Sequence, residues 1–154
     1  MGEGGGEGAY SPSQVKGCVF CEIVADRVSA YRVYADETSL AFLDHRPLLP
    51  GHVLVVPKTH YSTLGDVPSE EVGPLFIATQ RLARAAETAL RADGCFVAVN
   101  IRISQSVPHL HVHVVPRRKG DGLFARTFQW MRHPYPSEAA IVETQRAIMA
   151  ALEQ

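Results

Sequence analysis

Apolar and polar residues alternate along residues 106–117, which read Ser-Val-Pro-His-Leu-His-Val-His-Val-Val-Pro-Arg. His109, His111 and His113 share one parity, and Leu110, Val112 and Val114 share the other. A period of two belongs to a strand with one face in the core, so this stretch is expected to present three imidazoles on a single face. Residues 31–34 and 40–43 are short β-favouring runs on either side of Ala35-Asp36-Glu37-Thr38-Ser39, the pattern of an antiparallel hairpin. Residues 52–56 are nearly all apolar and stop at Pro57, which predicts a central strand. Residues 95–99 make a further strand, with Cys95 as a small buried hydrophobe.

Between residues 69 and 93 the period changes. Val72, Leu75, Phe76, Leu82, Ala83, Ala86 and Leu90 recur at intervals of three and four, with Gly94 as the stop, so a long amphipathic helix is expected. Two starts compete: Ser69 followed by acidic Glu70 and Glu71, or Gly73 as the cap with Pro74 at the first helical position. Residues 137–152 form a second helix, with Ala140, Ile141, Ile148 and Leu152 near one face. Residues 22–26 are too short to assign, and the stretch after Arg117, with Phe128 and Trp130, has no clear period before the turn-rich His133-Pro134-Tyr135-Pro136. The expected fold class is α+β: a five-stranded antiparallel sheet with one long and one C-terminal helix, and no internal repeat.

Composition narrows this further. The chain has 154 residues, 46% hydrophobic, which suits one domain with a proper core. Six of the twelve glycines fall within residues 1–17, where few apolar residues are available for burial. That segment is expected to be a flexible tail, and residues 18–154 a single domain. The formal charge is −1 and the longest basic run is Arg117-Arg118-Lys119, so nucleic acid is not an expected partner, whereas a small anion is compatible. No apolar run approaches the roughly 20 residues of a membrane span, and the N-terminus lacks signal-peptide character. Met1-Gly2 could open a myristoylation site, but Gly6 stands where Ser or Thr is required. No membrane association and a cytoplasmic location are expected.

Three cysteines are an odd count, and Cys18-Val19-Phe20-Cys21 pairs two of them closely. A redox pair usually opens a helix after a strand, and this one precedes the first clear strand. Zinc needs two further ligands, which His60 and His109 could supply at strand ends; two unconnected thiols are the remaining reading. Along a strand rising roughly 3.3 Å per residue, the Cα atoms of His109 and His113 lie about 13 Å apart, so the three histidines are expected to divide their labour rather than share one ion. If His109 serves zinc, His111 and His113 stay free beside Ser106 and Asn100. A neutral imidazole can attack phosphorus or carbon, or move protons. Ser106 and Gln105 could donate hydrogen bonds to an anionic substrate, and His52 either supports the nucleophile from a neighbouring strand or merely ends that strand. The rival is a hydrolytic metal chelated by His111 and His113, for which no neighbouring third ligand exists; Asp44 and Asp121 would have to arrive by tertiary placement.

His109-Leu110-His111-Val112-His113-Val114-Val115 resembles the signature of the histidine triad (HIT) family, in which three histidines alternate with apolar residues. The resemblance runs from Cys18 to about Arg117 and includes Phe42-Leu43-Asp44, Pro50-Gly51-His52 and Pro57-Lys58-Thr59-His60 in the family's order. It implies a HIT-like fold and a nucleotide hydrolase or transferase. In that scheme His111 attacks the α-phosphorus of a nucleoside phosphoramidate or dinucleoside polyphosphate through a covalent nucleotidyl-histidine, and His113 binds phosphate. Asn100, Gln105 and Ser106 would contact phosphate or leaving group, Asp44 would hold the ribose hydroxyls, and Phe20, Ile23 and Phe42 would line a pocket for a purine base. Cys18, Cys21, His60 and His109 would hold a structural zinc, with no organic cofactor, in a homodimer whose sheets join. The alternative is a non-catalytic nucleotide-binding or scaffold protein with the same zinc-stabilised fold. One departure is visible: Ile101-Arg102-Ile103-Ser104 replaces a longer glycine-rich connection, with Arg102 either reaching a polyphosphate or remaining a solvated charge. Amine, sulfate and a second nucleotide therefore all remain open as leaving groups.

Overall fold

The computed structural model describes residues 13–126 and 131–154. The described chain forms helix α1 (Val19–Val24), strands β1 (Arg32–Ala35), β2 (Ser39–Leu43) and β3 (Val53–Pro57), the long helix α2 (Ser69–Leu90), strands β4 (Gly94–Val99) and β5 (Val112–Arg117), and helix α3 (Glu138–Leu152). The strands make one five-stranded sheet in the order β1-β2-β3-β5-β4, antiparallel throughout. The expected α+β class, strand number and two principal helices are all present.

Strand parity explains why a nearly continuous apolar run was needed in the middle of the sheet. Ala41, Leu43, Val53, Val55, Val112 and Val114 face one way, into a core completed by Leu75, Ala78, Leu82 and Ala85 of α2 and by Ile141 and Ile148 of α3. Leu40, Phe42, Leu54 and Val56 face the other way, against Cys18, Phe20, Cys21 and Ile23 around α1. Both faces of β2 and β3 are thus covered, and all their residues are buried. The register puts Phe42 opposite Leu54, Leu54 opposite His113 and His113 opposite Ala98, so one row across the second face runs from an aromatic ring through an imidazole.

Four local expectations change. The unassigned segment after Cys18 is the one-and-a-half-turn helix α1, too short to show a period; Cys18 Sγ caps it by accepting the Cys21 N–H at 3.5 Å. Helix α2 starts at Ser69 and passes through Pro74. The proline deprives only the Glu70 carbonyl of a partner, and that first turn is exposed enough for water to supply one. The helix stops at Leu90, where Arg91 takes the left-handed conformation (φ 50°) and returns its N–H to Glu87; Gly94 instead opens β4. Finally, the ladder of β5 begins only at Val112, because the backbone N–H of Leu110 turns aside to the Tyr61 carbonyl at 2.7 Å. The histidine alternation therefore straddles the entry to the strand.

Cys95 is half-buried rather than fully enclosed, and burial raises its thiol to about 11. Residues 13–17, read from sequence as part of the tail, lie on the domain: the His60 N–H donates to the Ser13 carbonyl at 2.7 Å and the Cys18 N–H to the Val15 carbonyl at 3.2 Å. The rest of that segment, together with Phe128 and Trp130, falls outside the described residues. Among the described residues no helix is long and apolar enough to cross a membrane.

Candidate active site and metal-ligand group

The α1 turn, the loop after β3 and the entry to β5 converge on four donor atoms. The Nδ1 of His109 lies 3.4 Å from Cys18 Sγ, 3.6 Å from Cys21 Sγ and 3.1 Å from His60 Nδ1, while Cys21 Sγ lies 3.4 Å from His60 Nδ1. A tetrahedral ion with bonds of about 2.3 Å to sulfur and about 2.0 Å to nitrogen sets its ligands roughly 3.3–3.8 Å apart; these four separations suit such an ion within a few tenths of an ångström, and all four donors lie within 4.8 Å of one another. The chemistry around the donors agrees. The Nε2–H of His109 donates to the Pro57 carbonyl at 2.9 Å, which leaves the Nδ1 lone pair for a metal. Burial holds this imidazole down to about 4, hence neutral. Burial raises the Cys21 thiol above its ordinary value, and the Val15 N–H, donating to Cys21 Sγ at 3.4 Å, offsets part of that rise. These four residues could hold a metal ion, and their grouping matches the set taken from the family resemblance.

The other two histidines of the alternation belong to a separate hydrogen-bonded series. The Nδ1 of His111 meets the carbonyl of His109 at 2.8 Å. A carbonyl only accepts, so the proton sits on Nδ1 and the Nε2 lone pair is left available. A second chain of partners fixes His113. The Leu48 N–H donates to His52 Nδ1 at 3.1 Å, which places the His52 proton on Nε2; that atom donates to His113 Nδ1 at 2.9 Å. The remaining proton of neutral His113 then lies on Nε2, a buried atom without a hydrogen-bond partner among the described residues. Asp44 Oδ2 lies 3.8 Å from His52 Nδ1, but that nitrogen is already an acceptor and burial keeps the ring neutral, so the contact is not an ion pair. His52 thus serves as more than a strand end.

A cavity of about 740 Å³ opens over these rings. Phe20, Ile23, Phe42 and Leu54 supply its apolar wall, and Asp44, Ser106, His111 and His113 its polar part. Phe20 stands edge-on to His111, with centroids 5.2 Å apart, and His111 is 4.9 Å from His113. Seven of the ten residues named from the sequence for catalysis or nucleotide binding therefore line this one cavity. Asn100 and Gln105 do not line this cavity. Asn100 Nδ2 donates to the Ser104 carbonyl at 3.2 Å; Gln105 donates to the Ser62 carbonyl at 2.7 Å and accepts from the Arg102 N–H at 2.9 Å. Both amides serve the connection between β4 and β5, in which Arg102 and Ser104 have φ of 66° and 61°.

Arg132 was not anticipated. It lines the same cavity and donates from Nη1 to Asp44 Oδ2 at 2.9 Å across 88 residues of sequence. No local pattern could have found it, because it lies in the aperiodic stretch before α3.

Burial makes the histidine pair pH-sensitive. His113 is pushed down to about 4, and His52 well below its ordinary value, chiefly by desolvation. In the unfolded chain both titrate near 6.5, so between these values the native state binds fewer protons than the unfolded one. The stability they contribute is complete above about pH 6.5 and is lost as pH falls towards about 4. His113 alone should cost about 2 kcal/mol at pH 5, or about 6 °C in melting temperature for a chain of this size. Thermal melts at pH 7, 6 and 5 should show this decline, with a shallower slope in His113→Gln. A melting temperature independent of pH over that interval would contradict it.

Residues 26–120 match the family model of the HIT domain. An uncharacterized HIT-like protein of Mycobacterium tuberculosis is 40% identical over 139 residues, covering 89% of this chain and 94% of its own. The crystal structure of a Zn-bound histidine triad family protein from Mycobacterium smegmatis superposes with a TM-score of 0.77 at 43% identity, covering 90% of this chain and 94% of that one. An adenylylsulfatase of Arabidopsis thaliana is 32% identical over 123 residues, 78% of this chain and 62% of its own. With the histidine geometry, the sheet order and these likenesses in agreement, the chain belongs to the HIT family.

Proposed function

We propose that the protein is a nucleotide hydrolase or nucleotidyl transferase that acts through His111, on a substrate whose α-phosphate carries an amine, sulfate or phosphate leaving group. The observation that carries this reading is the pairing of two oppositely prepared rings in one cavity. His111 has its proton committed to the His109 carbonyl and its Nε2 lone pair available, while His113 has Nε2–H to donate.

A purine base would rest between Phe20, Ile23, Phe42 and Leu54, and Asp44 would accept from the ribose hydroxyls. His111 Nε2 would then attack the α-phosphorus, forming a P–N bond as the bond to the leaving group breaks. The His113 Nε2–H would donate to a non-bridging phosphate oxygen, an interaction that strengthens as charge builds there. Ser106, an exposed residue lining the cavity, would hand its hydroxyl proton to the departing group. In the second half water attacks the same phosphorus and gives its proton back to the Ser106 oxygen, the P–N bond breaks, and nucleoside monophosphate would leave with His111 and Ser106 both restored. Burial keeps both rings neutral near pH 7, as a nucleophile and a neutral donor require.

Zinc is the ion proposed for Cys18, Cys21, His60 and His109; with all four positions filled by protein it would be structural, pinning α1 to the entry of β5. The likeness to an adenylylsulfatase supports the reaction class, since adenylyl sulfate is split at an α-phosphate. The test is a panel of adenosine phosphoramidates, adenylyl sulfate and dinucleoside polyphosphates, scored by release of nucleoside monophosphate. Turnover of at least one class is expected and names the leaving group. Nucleotide binding without release from any of them would establish the non-catalytic alternative instead.

A further inference from the structure

The segment before α3 is stitched along the loop that carries Asp44. Arg132 Nη1 donates to Asp44 Oδ2 at 2.9 Å and to the Arg46 carbonyl at 2.8 Å. His133 donates from its backbone N–H to the Pro47 carbonyl and from Nδ1 to the Leu48 carbonyl, both at 2.7 Å. The Gly51 N–H donates to the Tyr135 hydroxyl at 2.9 Å. Asp44 receives a second bond at its other oxygen, Oδ1, from the Arg46 N–H at 2.9 Å. One protein donor on each oxygen fixes the plane of the carboxylate, and each oxygen retains lone-pair capacity for another donor. The two protons of Nη1 are divided between the carboxylate and a main-chain carbonyl, which in turn fixes the guanidinium.

We propose that Arg132 is a positioning residue for ribose recognition: it orients Asp44 so that both carboxylate oxygens accept from the 2′,3′-diol of a bound nucleotide. The inference rests on the nucleotide reading above. A vicinal diol offers two O–H donors side by side, and a carboxylate locked in plane meets both without losing rotational freedom on binding. Left without Arg132, Asp44 keeps its charge and its bond from the Arg46 N–H, but Oδ2 is free to swing. The consequence falls most on the sugar; the guanidinium charge also reaches His111 and His113, and its loss bears on both nucleotides alike.

Calorimetric binding of adenosine 5′-monophosphate and its 2′-deoxy analogue separates these contributions. The unmutated protein should prefer the ribonucleotide by about tenfold or more, the worth of a hydrogen bond to a charged group. Arg132→Ala should weaken the ribonucleotide more than the deoxynucleotide, which keeps only its 3′-hydroxyl on Asp44, so that the preference shrinks, and Arg132→Lys should recover part of it. A general loosening of the cavity would weaken both ligands together. If Arg132→Ala fails to fold, Arg132→Lys carries the test, its preference again falling below that of the unmutated protein. An unchanged preference in the folded variants overturns the inference and leaves the nucleotide reading standing, as does equal tightening of both ligands, which would make Arg132 a plug. Absence of binding by either nucleotide to the unmutated protein overturns both.

Discussion

Replacing His111 by Asn is expected to reduce release of nucleoside monophosphate by about 10⁴-fold or more, while nucleotide still binds and the fold holds. Asparagine keeps an N–H that can donate to the His109 carbonyl, as Nδ1 of the histidine does, so the local backbone has its partner. It has no ring nitrogen to attack phosphorus. General acid-base help alone is typically worth about 10² to 10⁴, and loss of a nucleophile removes both chemical steps, so the upper end is the minimum expected. His111→Ala should behave alike. Turnover of the variants, measured beside peptide mapping of rapidly quenched unmutated protein, checks the prediction. The nucleotidyl group should map to His111. A variant that retains more than about a tenth of the activity would end the covalent mechanism.

Loss of the metal should strike stability instead. Cys21→Ser is expected to abolish a zinc content of about one per chain and to lower the melting temperature by about 10 °C or more. The size follows from what the group joins: Cys18 and Cys21 come from α1, His60 from the loop after β3, and His109 from the entry to β5. An ion closing that loop binds the folded chain far better than the unfolded one, and its binding free energy becomes folding free energy. Chelator added to folded protein should leave turnover largely intact until unfolding begins. Activity that vanishes at once, ahead of any unfolding signal, would restore the rival in which His111 and His113 chelate a hydrolytic metal. Elemental analysis, thermal melts and a chelator time course supply the three readings.

The parity of residues 109–115 was legible because a period of two is a local property, and the pairing of His113 with Leu54 only completed it. The Cys18–Cys21 spacing was equally local, and the family's blocks brought His60 and His109 to it. Arg132 was invisible for the opposite reason: its partner Asp44 lies 88 residues away, and nothing near it in sequence has a period. The family resemblance puts Asn100 and Gln105 on phosphate or leaving group. The tight connection after β4, with Arg102 and Ser104 at positive φ, instead engages their amides in holding the loop. The ends of α2 depended on solvent exposure at Pro74 and on the left-handed Arg91, neither of which an apolar pattern records.

The line from Leu48 through His52 to His113 also determines where protons can travel. Its inner end is a main-chain amide, which neither releases nor accepts a proton at ordinary pH, and each ring along it already has a single N–H aligned in the same sense. A proton arriving at His113 would have to charge a buried imidazole, because among the described residues the line behind it ends at the Leu48 amide. The line is a cul-de-sac. In the proposed two-step reaction every proton consumed or released would therefore cross the mouth of the cavity, by way of substrate, Ser106 or incoming water, and the interior would serve as an insulator that keeps the donor ring in one protonation state from cycle to cycle.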